Sequence, residues 1–62
     1  MENIEKGDYI LGKDGNIPYF VSLVTNVKNS VVEFIYLNGS SGKVLDNQVR
    51  KASDLEIKKY WI

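Results

Sequence analysis

Cysteine and histidine are both absent from the 62-residue chain. Their absence excludes disulfide staples, the usual zinc centres and every nucleophile–base pair built on Cys or His. Proline, methionine and tryptophan each occur once. No apolar run approaches the roughly 20 residues of a membrane-spanning helix. No charged segment followed by an apolar stretch opens the sequence, so no signal peptide is expected. A surplus of positive charge is lacking too: eight Lys and Arg balance eight Asp and Glu. A generic, charge-driven DNA binder needs such a surplus for its phosphate contacts.

What is present is ordinary for a globular domain: 44% hydrophobic and 26% charged residues. One domain over residues 1–62 is expected, with its core at about 6–60. A core of this size supplies roughly 3–5 kcal/mol of net stability. The charge is unevenly placed. The first third carries Glu2, Glu5, Asp8 and Asp14, and the last third carries Lys43, Arg50, Lys51, Lys58 and Lys59. Lysine outnumbers arginine seven to one and asparagine is frequent, usage similar to AT-rich coding in many bacteria and their phages. Cysteine-free composition fits a reducing, cytoplasmic setting.

The dominant pattern is strand. Tyr9–Leu11 is a short apolar run, followed by the turn-rich stretch GKDGNIP. Tyr19–Val27 and Val31–Leu37 are rich in β-branched and aromatic residues. In the first, Tyr19, Val21, Leu23, Thr25 and Val27 alternate onto one face. Lys28–Ser30 is a connector of hairpin length, and NGSSG at Asn38–Gly42 is a loop. Lys43–Val49 reads as a fourth strand that ends near Gln48. Ser53 and Glu56 have the spacing of a capping box, but few residues follow. The spacing therefore predicts a 3₁₀ turn at Ala52–Leu55 and a fifth strand from Glu56 to about Tyr60. The predicted fold is all-β, a small five-stranded barrel with a short 3₁₀ turn before the last strand.

The order KGDYI, KDGNIPYFVSLVTNV, VVEFIYLNGSSG, KASDLEI resembles Tudor domains within the wider SH3-like barrel superfamily. Asp14-Gly15, Tyr19, Leu23, Tyr36 and Ser53-Asp54-Leu55 carry the likeness. The integrase C-terminal SH3-like barrel is a second relative by pattern, through LNGSSGKVL and LEIKKYW. The resemblance implies a ligand groove rimmed by the first loop, here Lys13 and Asp14, and by Tyr19 and Tyr36. A Tudor cage holds methylammonium between aromatic walls. Leu11 stands where the family often has an aromatic, and no second aromatic follows Tyr36, which leaves two walls at most.

Gly12-Lys13-Asp14-Gly15 matches the G-x-x-G loop that clamps nucleic-acid backbones in KH domains. That loop needs helices on both sides, and here strands flank it. Positive φ at Asp14-Gly15 is the expected role.

No catalytic residue, cofactor or metal site is expected. The carboxylates are scattered singly and match no calcium loop. Apolar residues fall on both faces of the long strands, which predicts an outer protein-binding patch of Phe20, Val24, Ile35 and Leu37. The competing expectation is that Ile4 and the YWI tail cover it. The leading functional expectation is a non-catalytic protein-interaction module, a small regulator or inhibitor that docks on a larger host protein, with homodimerisation through the same patch as a variant. The alternative is a nucleic-acid-binding barrel using Lys43, Arg50, Lys51, Lys58 and Lys59 with Tyr60 and Trp61 as stacking platforms. A Tudor-like peptide reader is the third.

Overall fold

The computed structural model describes residues 3–62. Five antiparallel strands form one sheet: β1 (Tyr9–Gly12), β2 (Ser22–Lys28), β3 (Val31–Ile35), β4 (Ser41–Leu45) and β5 (Val49–Lys51). Their order across the sheet is β4-β3-β2-β1-β5. A 3₁₀ turn at Asp46–Gln48 leads into β5, and a short helix, α1 (Asp54–Tyr60), follows it.

This order forces curvature. β4 and β5 are the two edges of the sheet, yet only the three residues of the 3₁₀ turn join them. In a flat sheet the edges would lie about 19 Å apart, four strand spacings of roughly 4.8 Å. Three connecting residues reach at most about 14 Å when fully extended, and less in a 3₁₀ turn. The sheet therefore curls until its edges approach.

The local chemistry explains the joints. Asn29 and Ser30 both take positive φ, at 52° and 66°, and close the β2–β3 hairpin with two residues. Gly12 ends β1 where the first loop folds back. A Cβ there would lie 1.8 Å from the carbonyl oxygen of Asn16. The Gly12 N–H donates to Pro18 O, and the Asn16 N–H donates to Lys13 O. Asp14 and Gly15 have φ of 49° and 80°, the positive values expected of that turn. The peptide between Ile17 and Pro18 is cis. Gly42 of β4 lies opposite Phe34 of β3, and its missing side chain leaves room for the Phe34 ring.

The core is one cluster of Ile10, Val24, Val32, Phe34, Val44 and Val49, with Ile4, Val27 and Tyr36 packed against it. One strand changes faces to build it. Val24 pairs with Phe34 and Asn26 with Glu33, so Thr25 is an extra residue, a β-bulge. Before the bulge the even positions Ser22 and Val24 are buried. After it, Val27 pairs with Val32 and turns inward. Val24 is thus a core residue, which removes it from the outer patch expected of it. Simple alternation over Tyr19–Val27 misses this because the bulge interrupts it.

Two further expectations are corrected. Lys43–Val49 is not one strand, because the 3₁₀ turn at Asp46–Gln48 divides it between β4 and β5. The stretch from Glu56 to Tyr60 is helix, not strand. The 3₁₀ turn precedes the last strand as expected, but at these earlier residues rather than at Ala52–Leu55. The capping box accounts for the helix: Ser53 Oγ accepts from the Glu56 N–H, and the Glu56 carboxylate accepts from the Ser53 N–H. Tertiary contacts supply what so short a helix lacks alone.

A candidate aromatic groove

An open groove of about 490 Å³ is lined by Tyr19, Phe20, Tyr36, Asn38, Ser40 and Ile62. Three stretches position it. Tyr19 and Phe20 sit in the bend before β2, because pairing of β2 with β1 begins only at Ser22. Tyr36, Asn38 and Ser40 come from the β3–β4 turn. Ile62 arrives from beyond α1.

The turn is fixed by its own hydrogen bonds. The Tyr36 N–H donates to Ser40 O and the Gly39 N–H to Tyr36 O. The Ser40 N–H donates to Asn38 Oδ1. That leaves the Asn38 amide NH₂ able to donate to a ligand. The Tyr36 ring is anchored edge-on against Phe34 at 5.4 Å, and Phe20 meets it edge-on at 6.4 Å. The Tyr19 N–H donates to Tyr36 Oη at 3.2 Å, which joins the two sides of the groove. Tyr36 is held, while Tyr19 and Phe20 are 67% and 49% exposed. Among the described residues no charged side chain lines the groove.

The residues expected of a site therefore separate. Tyr19 and Tyr36 come together, but Lys13 and Asp14 do not line the groove. Of the expected patch, Phe20 is a groove wall and Leu37 is exposed on the same turn as Asn38. Ile35 is half-buried, in a cross-strand row with Leu23 and Tyr9. Trp61 packs edge-on against Tyr9 at 5.2 Å, so the tail covers one end of that row. Phe20, Asn38, Ser40 and Ile62 escaped the expected groove. Phe20 had a signal, its place next to Tyr19 after a proline; Ile62 had none.

The cationic residues come from three elements, Lys43 from β4, Arg50 and Lys51 from β5, and Lys58 and Lys59 from α1. Lys43 lies on β4, opposite Glu33 of β3, at the other sheet edge from Arg50 and Lys51 of β5. Arg50 grips Glu56 with two parallel bonds, Nη1 to Oε1 at 2.8 Å and Nη2 to Oε2 at 2.7 Å. Lys51 Nζ lies 3.6 Å from Asp8 Oδ2. The Arg50 hydrogen bond, helped by the Ser53 N–H, holds the Glu56 carboxyl down to about 2 from its ordinary 4.5. Lys59 sits over the Tyr60 ring, 5.7 Å from its centre.

No helix among the described residues is long and apolar enough to cross a membrane. Compared with protein-family models, with curated proteins and with solved structures, the chain shows no match.

Proposed function

We propose that the protein is a non-catalytic interaction module that takes a short, uncharged stretch of a partner polypeptide into the groove of Tyr19, Phe20 and Tyr36. The observation that carries this reading is the exposure of two adjacent aromatic residues, Tyr19 and Phe20, around an anchored third. Aromatic side chains offer 150–250 Å² each and dominate interface energetics. The uncharged lining favours an uncharged ligand, and the Asn38 amide suits a backbone carbonyl acceptor. Leu37, on the same turn as Asn38, and Ile17, two residues before Tyr19, are exposed apolar residues as well.

Phe20 also favours a second reading. It is a third ring beside Tyr19 and Tyr36, where two cage walls were expected, and three rings suit a methylammonium group. The nucleic-acid reading draws no support from Arg50 and Lys51, which are engaged with carboxylates.

Selection of binders from a random peptide library tests the proposal. Amide shifts on titration should fall on Tyr19, Phe20, Tyr36 and Asn38. Tyr19→Ala should weaken the selected peptides at least about tenfold, as an anchor residue does. Tyr19 is exposed, so folding should be unaffected. A trimethyl-lysine peptide that binds more tightly than its unmodified form selects the second reading. Peptides that bind Tyr19→Ala as well as the parent overturn both.

A further inference from the structure

We propose that α1 and the residues after it form a latch, whose docking on β1 and β5 holds Ile62 in place as one wall of the aromatic groove. The proposal rests on the groove being the binding site, and it adds the element that regulates it.

No residue of α1 is buried. The helix is therefore not held by a core stripe, as surface helices usually are. Its attachments among the described residues are local. Arg50 of β5 reaches Glu56 with two hydrogen bonds, and Tyr9 of β1 takes the edge of Trp61. Ile57 is half-buried beneath. The same Glu56 carboxylate closes the capping box with the Ser53 N–H. One side chain thus both starts the helix and docks it.

That double role makes the latch cooperative. A helix of seven residues does not persist alone in water. A carboxylate that swings away from Arg50 also leaves the Ser53 N–H, so undocking strips the capping box to its single bond from the Glu56 N–H to Ser53 Oγ and favours unwinding. Trp61 and Ile62 then leave together, because they are neighbours in the chain. The groove keeps Tyr19, Phe20, Tyr36, Asn38 and Ser40, which the loops hold independently, but loses its Ile62 wall. Segments with so few buried contacts open at the low end of a protein's free-energy scale. By linkage, a ligand that touches Ile62 favours the docked latch, and undocking weakens that ligand by the same factor.

Trp61 is the chain's one tryptophan and reports docking directly by its fluorescence. Nile red, an uncharged dye that brightens in apolar grooves, reports the groove. In Glu56→Gln, Trp61 emission should shift to the red and the Nile red Kd should rise about fivefold or more, the scale of ordinary coupling. Slow amide exchange in β2 and β3 should persist, which separates latch opening from unfolding. Ile62→Ala should weaken Nile red while leaving Trp61 docked. If Trp61 reaches water in Glu56→Gln and Nile red affinity stays the same, the latch proposal is overturned and the groove reading stands. If Trp61 emission in Glu56→Gln does not move, the single-carboxylate latch is overturned. If Tyr19→Ala binds Nile red as the parent does, the groove reading fails and the latch with it.

Discussion

At the scale of the residue, two positions show how closely the backbone constrains the side chain. Gly12 stands where the returning first loop crosses the end of β1. A methyl group there would overlap the carbonyl of Asn16, which is backbone and cannot rotate away. Gly12→Ala should therefore cost about 3 kcal/mol or more, a large part of the roughly 3–5 kcal/mol such a core provides. Urea unfolding followed by far-UV circular dichroism would show the midpoint fall or the transition disappear; an unchanged midpoint would contradict the packing. Ser22 makes the opposite case. It is fully buried, and its hydroxyl has no hydrogen-bond partner among the described residues. An unsatisfied buried hydroxyl costs about 1–3 kcal/mol. Ser22→Ala fills almost the same volume without that cost. It should raise the thermal midpoint by about 4–8 °C for each kcal/mol recovered, read by calorimetry.

At the scale of the element, the strands were legible where turn chemistry and alternation agreed. Tyr9–Leu11 and Val31–Ile35 are strands because β-branched and apolar residues sit between strong turn formers, although the strand expected to run to Leu37 ends at Ile35, where Tyr36 enters the turn. The Lys28–Ser30 connector announced a hairpin, and the structure closes it at Asn29-Ser30. Elsewhere tertiary terms decided. The bulge at Thr25 is an irregularity of pairing, invisible to any fixed period. The helix α1 had its cap written in Ser53 and Glu56, but its stability comes from Arg50 and Tyr9, which no local rule brings near. Tyr19 and Tyr36 were legible as groove residues only through a family likeness. Ile62 enters the groove through the path of the helix.

The hairpin yields its own prediction. Ser30 holds φ at 66°, a conformation that costs an L-residue with a Cβ roughly 1–2 kcal/mol. Its carbonyl accepts from the Asp46 N–H, a backbone contact any residue keeps. Ser30→Gly should therefore stabilise the protein by about 1 kcal/mol, less the extra backbone entropy of glycine. Ser30→Ala keeps the Cβ and should give no gain. Equal urea midpoints for the two variants would show that the turn is not strained.

At the scale of the whole molecule, the sheet and the latch respond to different conditions. The core cluster of Ile10, Val24, Val32, Phe34, Val44 and Val49 is apolar and none of its six residues ionises. The latch depends on one carboxylate whose folded value, about 2, lies below its ordinary 4.5. A lowered carboxylate value means that ionised Glu56 favours the docked state. Its contribution is complete above about pH 4.5, declines as the pH falls, and is gone near pH 2. Arg50 keeps its charge throughout, so protonation of Glu56 alone breaks the pair. Nearby, Asp8 with Lys51 is a second ion pair, and Asp54, Lys58 and Lys59 complete the charges of the helix. Trp61 emission should therefore show an acid transition between about pH 4.5 and 2, and β2 and β3 should keep their amide protection through its early part. Glu56→Gln should lack that transition and show the red-shifted emission at every pH. High salt should mimic acid only weakly, because two parallel hydrogen bonds persist where a screened surface pair would not. Trp61 emission that stays flat from pH 5 to pH 2 in the parent protein would show that something other than Glu56 holds the helix to the sheet.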